Sequence, residues 1–268
     1  MSVVATESTL SRSENLDRSS DLAPLDSVQA DIVVFPPGNL YSDEPPLESS
    51  LHLQQLLLLL KCLDWLWKDR DDYFAAGNLT VYYSPNQRKS EDFRGPDIFV
   101  VLGTEKRPRR SWTIWEEGGQ YPHVIIELLS DSTAKTDRGL KKTLYQNVFR
   151  TPDYFWFDPH NLEFQGFHLL DGLYQPIEAN EQGHLWSQQL GLFLGIHNRR
   201  LRFFMPDGSL VPTPEESAES VMLELEGERK RVDIESQRAD AESQRANAES
   251  DRANKLVAKL RALGIEPD

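Results

Sequence analysis

Two carboxylates and a lysine stand out for chemistry. Asp97 follows Pro96 at the start of a run that reads as a strand, "PDIFVVLG", and Glu127 lies inside the next, "HVIIELLS". Side chains level with one another on adjacent strands come within roughly 5 Å. Two acids placed so can share one divalent cation, and with only backbone and water for further company they suit Mg²⁺, or Mn²⁺, a hard ion that keeps several waters. Such an ion lowers the pKa of a bound water and stabilises charge on a phosphoryl oxygen. Lys141 and Tyr145, spaced i, i+4, share one face of the helix that "TDRGLKKTLYQNVF" predicts. A lysine there can steady an attacking hydroxide and neutralise phosphate charge. The plainer reading puts the strand carboxylate on a solvated face and the lysines in water. Against it stand the apolar neighbours on both sides of Glu127, as in a strand buried on both faces, where an unpaired charge is costly.

The elements that would position these groups follow from pattern. "PPLESSLHLQQLLLLLKCLDWLWKDR" has helix punctuation and a long apolar face. After it, "NLTVYYS" and "PDIFVVLG" predict the first two core strands, "RPRRSWTIWEEGGQYP" a connecting loop or mobile flap, and "HVIIELLS" the third strand. The lysine-bearing helix and a fourth strand, "DYFWFDP", come next, then a hairpin, "LEFQGFHLLDGLYQPIE", turning at Asp171-Gly172. This order predicts an α/β fold with a central mixed sheet flanked by helices. "DIVVFPPG" reads as a short edge strand, and residues 1–30, rich in Ser, Asp and Leu without a period, as disordered. The division is therefore a disordered 1–30, a catalytic domain over 31–214 and a charged helix over 215–268.

That last segment repeats at seven from Glu235, "ESQRADA", "ESQRANA", "ESDRANK". Its seam is thin: Ala239, Ala246, Ala253 and Leu260, extended upstream by Val232 and Leu225. An oligomerising coiled coil and a solvated, charge-laced single helix both remain open, and the first implies a homo-oligomer, such as a dimer.

Charge is unevenly spread. The net of −14 comes from −7 over 1–49 and −6 over 215–254, with +1 over 255–268 and only −2 left for 50–214. Inside that middle, "EKRPRR" and Lys135, Arg138, Lys141, Lys142 and Arg150 are locally basic, so a DNA-binding face is permitted. The one cysteine, Cys62, excludes an intrachain disulfide framework and reads as a core residue. No apolar run reaches the ~20 residues of a membrane span, and the polar N-terminus lacks a leader pattern, so a cytoplasmic protein with no membrane partner is expected.

Taken jointly, Pro96-Asp97, "IELLS", the Asp137, Lys141 and Tyr145 spacing and "TPDYFWFDP" resemble a large bacterial family of endonucleases often called Uma-two-type, within the restriction-endonuclease-like PD-(D/E)xK superfamily. The shared positions are Glu127, Leu129, Ser130, Ser132, Thr133, Asp137, Lys141, Tyr145, Trp156, Asp158 and Pro159, and the resemblance covers roughly 45–200. It implies a restriction-endonuclease-like core of α-β-β-β-α-β order, a Mg²⁺ (or Mn²⁺) held by Asp97 and Glu127, DNA as partner, and Lys141 as the assisting lysine. The superfamily's D/E-x-K lysine is missing, since Leu129 stands there; Lys141 is its match one helix later. Lys142 points about 100° away around the helix. A further superfamily acid falls on the first helix, where Glu48 is the candidate; it is equally a first-turn residue favoured by the helix dipole. His52 is either a site neighbour or an ordinary half-buried helix histidine. Three functions stay open: a metal-dependent DNA phosphodiesterase, a nuclease-like fold used for assembly through its C-terminal helix with weak or no catalysis, and another metal-dependent hydrolase.

Overall fold

The computed structural model describes residues 40–42, 44, 47, 49–83, 93–130, 134–264 and 266. The 1–30 segment, the "DIVVFPPG" run and Glu48 lie outside the described residues. Helix α1 (Ser50–Leu66) begins where the Ser49 side chain accepts a hydrogen bond from the His52 amide at 3.1 Å, an N-cap that satisfies one of the helix's free donors. Its buried Leu56, Leu59, Cys62 and Leu63 recur at three- and four-residue spacing and lay one face on the sheet. Cys62 is thus a core residue.

Strand β1 (Tyr73–Gly77) opens the central sheet. The first core strand is therefore not "NLTVYYS", and the reason is packing. A Cβ at Gly77 would stand 2.6 Å from the Leu56 side chain, so the strand under α1 is built of Ala and Gly rather than β-branched residues. The "NLTVYYS" run supplies β2 (Val81–Tyr82), which joins β3 (Phe93–Arg94) and β5 (Trp112–Thr113) in a separate three-stranded sheet. The expected flap is pinned by that pairing. Trp112 is fully buried, its Nε1 donates to the Gln120 carbonyl at 2.8 Å, and the Arg109 guanidinium lies over the Phe74 and Trp112 rings while bonding Glu117. Much of the local basic charge is spent this way, with Lys106 on Asp64 and Arg107 on Glu117.

The main sheet continues with β4 (Ile98–Leu102), β6 (Val124–Leu128), β7 (Asp153–Phe157), β8 (Phe164–Leu170) and β9 (Leu173–Pro176), in the order β1-β4-β6-β7-β8-β9. Only β6 and β7 run parallel, which requires a crossover; helix α2, over 134–149, provides it. The fold is the mixed α/β sheet of the expected α-β-β-β-α-β core. Asp171 and Gly172 both take positive φ, 49° and 85°, as a two-residue hairpin turn requires. Side chains alternate between two buried layers. Ile98, Val100, Val124, Ile126, Phe155 and Phe157 face α1, whereas Phe99, Val101, Ile125, Tyr154 and Trp156 face the side of Tyr145 and Phe149 on α2.

A third sheet, β10 (Leu185–Ser187), β11 (Leu192–His197) and β12 (Arg200–Phe204), completes the α1-side core and had no counterpart in the sequence reading. Helix α3 (Pro214–Ala262) starts with a capping box between Thr213 and Glu216. Arg202 bonds both Glu216 oxygens, and Lys61 bonds Glu215, tying the first turn to β12 and α1. Beyond that root the 49-residue helix, about 73 Å long at 1.5 Å per residue, has no buried residue. No described helix is long and apolar enough to cross a membrane.

Candidate active site

The antiparallel register of β4 on β6 pairs Ile98 with Ile126, and one step further sets position 97 opposite 127. Both side chains belong to the α2-facing side of the sheet, because they keep the parity of Phe99 and Ile125. Two hydrogen bonds lock them together. The Asp97 amide donates to Glu127 Oε2 at 3.3 Å, and the Leu128 amide donates to Asp97 Oδ2 at 2.7 Å. The remaining Asp97 oxygen, Oδ1, lies 3.0 Å from His52 Nε2. The N-cap that fixes the first turn of α1 thus also delivers His52 to the site.

From above, α2 brings three groups. Lys141 Nζ lies 3.1 Å from Glu127 Oε2 and 2.9 Å from Asp137 Oδ1, and the Tyr145 hydroxyl donates to Glu127 Oε1 at 2.7 Å. Asp137–Lys141 and Tyr145–Phe149 are π-helical turns. In an α-helix a four-residue step overshoots a full turn by about 40°, so such a stripe drifts off its face. The wider π turn, with its i→i+5 bonds, holds Asp137, Lys141, Tyr145 and Phe149 closer to one line. The Tyr154 hydroxyl of β7 donates to the Asp137 carbonyl at 2.9 Å and pins this stretch to the sheet.

Glu127 has no accessible side-chain surface and Asp137 almost none, while the side chains of Asp97 and Lys141 keep 15% and 16%. Of the two strand carboxylates only Asp97 reaches the surface, because Lys141 and Tyr145 close over Glu127. The charges respond accordingly. Burial pushes the Glu127 carboxyl well above the usual carboxylate range; Lys141 opposes this, while Asp97 and Asp137 reinforce it. Burial also acts upward on Asp97, but His52, Lys141 and the Leu128 amide outweigh it and hold Asp97 below its usual value. Lys141 is destabilised by burial and more than compensated by Glu127, Asp137 and Asp97, so its ammonium is held above its ordinary range. Asp97 therefore ionises before Glu127, and the lysine stays charged.

Leu129, at the superfamily's lysine position, is buried in the apolar layer. Lys142 lies over the Phe167 ring, 3.4 Å from its centroid, directed to β8 rather than to the carboxylates. Arg138 covers the Trp156 ring and pairs with Glu163. Among the described residues, no group of three or more His, Cys, Asp or Glu is arranged as a metal cluster. Sequence reasoning had not seen the approach of Asp137 to Lys141 or the bond from Tyr145 to Glu127. The four-residue spacing of Asp137, Lys141 and Tyr145 was the signal that could have shown both.

The family model described as "Putative restriction endonuclease", Uma2, matches residues 28–215. The chain belongs to the Uma2 family. Both strand carboxylates, Lys141 and the crossover helix fall inside the Uma2 region, and nearly all of α3 lies beyond it. A solved structure described as a "putative nuclease belonging to DUF820", from Anabaena variabilis ATCC 29413, is similar at 14% identity with a TM-score of 0.40, covering 54% of this chain and 75% of that one. A comparison with curated proteins finds no match.

Proposed function

We propose that this chain is a divalent-metal-dependent phosphodiesterase that cleaves DNA, with Asp97 and Glu127 as the ligands of a Mg²⁺ or Mn²⁺ ion and Lys141 as the assisting lysine. One observation carries the reading: three carboxylates, Asp97, Glu127 and Asp137, converge on one lysine at the rim of a sheet that is otherwise apolar there. The cluster carries an excess of negative charge, which is costly at low dielectric and which a hard cation would offset. Its donors are oxygens, and two carboxylates suffice for an ion that retains water.

When bound there, the ion would lower the pKa of a water and stabilise charge on the scissile phosphate. The protein's own part is orientation and charge. The Leu128 amide and His52 hold Asp97, Tyr145 holds Glu127, and the Lys141 ammonium offers a fixed positive charge to a phosphate at the exposed edge. Plasmid DNA incubated with the purified chain and Mg²⁺ or Mn²⁺ should be nicked, and Asp97→Ala should abolish it. Equal nicking by Asp97→Ala, or none by the wild type, would refute the proposal. A cytoplasmic location belongs to the same reading.

The C-terminal helix supports a second role. Its exposed Leu225 and Val232 lead into the Ala239, Ala246, Ala253 and Leu260 line. We read this line as a weak homodimer seam, since alanines bury little area. Sedimentation should show concentration-dependent association for the full chain and none for a chain ending at Gly227, which keeps the Glu215 and Glu216 ties. Identical behaviour of the two would reject the seam.

A further inference from the structure

Asp137 is not one of the two proposed metal ligands, yet it is the acid whose placement is hardest to explain by stability. It is buried, and its carboxylate lies 2.9 Å from a lysine that Glu127 also contacts, at 3.1 Å. A neutral residue would pack there without desolvating a third charge.

We infer that Asp137 is a positioning residue for Lys141; the inference rests on the proposed nuclease reading. A lysine has a flexible four-carbon stem and a point charge without directional preference, so one carboxylate partner leaves its ammonium free to swing. Here the ammonium is held from two sides, by Glu127 Oε2 at 3.1 Å and by Asp137 Oδ1 at 2.9 Å. The pair is spaced i, i+4 within the π turn that starts at Asp137, which sets both side chains on one helix face. The turn is itself fixed, because Tyr154 on β7 donates to the Asp137 carbonyl. A rigid chain of contacts therefore runs from the sheet through Tyr154 and Asp137 to the lysine. What it supplies is a cation fixed beside Glu127 before substrate arrives, so that little ordering remains to be done at the reacting phosphate.

The test uses the full chain labelled with ¹⁵N. An ammonium held in a buried ion pair exchanges slowly enough for its ¹H–¹⁵N signal to be seen, and Lys141→Ala assigns it by its loss. Asp137→Asn, nearly isosteric and uncharged, should broaden or abolish that signal. It should also lower kcat for plasmid cleavage about a hundredfold, the scale of losing one preorganised group, with KM for DNA unchanged. Asp137→Asn added to Lys141→Ala should lower kcat no further, because the two act as one unit. A Lys141 signal unchanged in Asp137→Asn, or kcat losses that add, would overturn the inference. If Asp137→Asn fails to fold, Asp137→Asn with Lys141→Met decides. Recovery of its Tm toward wild type shows that the ammonium deprived of Asp137 was the defect and supports the pairing; no recovery counts against it. Should the wild type cleave no DNA, the nuclease reading falls, and the ammonium signal still reports whether Asp137 holds Lys141.

Discussion

Glu127 and Asp153 are both buried carboxylates on neighbouring parallel strands, β6 and β7, and they have opposite surroundings. Asp153 is enclosed by partners without a competing acid. Its Oδ1 meets His168 Nδ1 at 2.7 Å, and its Oδ2 accepts from the Ser187 hydroxyl at 2.6 Å and the Gln189 amide at 3.0 Å. Those bonds stitch β7 and β8 to β10. Glu127 also has its hydrogen bonds, but two more carboxylates stand around the one lysine it shares. A buried acid whose neighbours complete its needs is a structural tie. One crowded by its own kind leaves charge for something else to balance, and that imbalance marks the candidate site.

Exchanging the two acids is the most direct way to break this contrast. Asp97→Ala, on the crowded side, should reduce metal-dependent cleavage by at least on the order of a hundredfold, while relief of the crowding offsets part of the cost of stranding the Leu128 amide and His52, so the melting temperature falls less than for Asp153→Ala. Asp153→Ala should do the reverse. It strands Ser187 and the Gln189 amide inside the protein, so about 3 kcal/mol of stability should be lost, with cleavage by the folded fraction retained. Denaturant melts alongside plasmid assays on both variants measure this. A stability loss for Asp97→Ala as large as that for Asp153→Ala would remove the distinction.

The two adjacent lysines sharpen it next. Lys141→Ala should lower kcat for cleavage about a hundredfold or more, because its ammonium belongs to the crowded cluster. Lys142→Ala, whose side chain lies over Phe167, should only weaken DNA binding and reduce the salt slope by about one. Matched binding and cleavage titrations compare them, and full activity in Lys141→Ala would take the lysine out of the mechanism.

The smallest effect is on pH dependence. Glu127 has a folded-state pKa above its unfolded value, so the folded chain binds more protons there. Its contribution to stability is complete below the ordinary carboxylate pKa and is lost as pH rises through the raised value. Asp97, held low, acts oppositely: its contribution is present above its ordinary pKa and fades in more acidic solution. In metal-free buffer, Glu127→Gln should therefore flatten the fall of Tm with rising pH, leaving the acid side unchanged. A Tm series over pH on both proteins checks the slope; parallel curves would count against a raised Glu127.

Much of this was legible because it rests on local pattern. The apolar run around Glu127, the period of α1, the Asp171-Gly172 turn and the lysine-bearing helix are each specified by neighbouring residue types. The strand Tyr73–Gly77 was missed for a physical reason: its Ala-Ala-Gly composition answers to Leu56 of α1 and not to strand propensity. The Arg107 to Gln120 stretch looked like a loop because its order comes from Trp112 burial and from ring and carboxylate partners for Arg109. The turn between β11 and β12, at Asn198-Arg199, lacks the glycine that usually announces such a turn, although both residues take positive φ.

By itself the sequence determined which side chains carry charge and how often they recur: an acid in an apolar strand, another after a proline, and Asp137, Lys141 and Tyr145 at steps of four. Tertiary structure alone decided what those groups do to one another. Register set position 97 opposite 127, the N-cap of α1 delivered His52, and π turns aligned Asp137 with Lys141 over Glu127. The reason is dielectric. A carboxylate's behaviour depends on which charges lie within a few ångströms of it away from water, and that distance is a property of the packed fold, not of spacing along the chain.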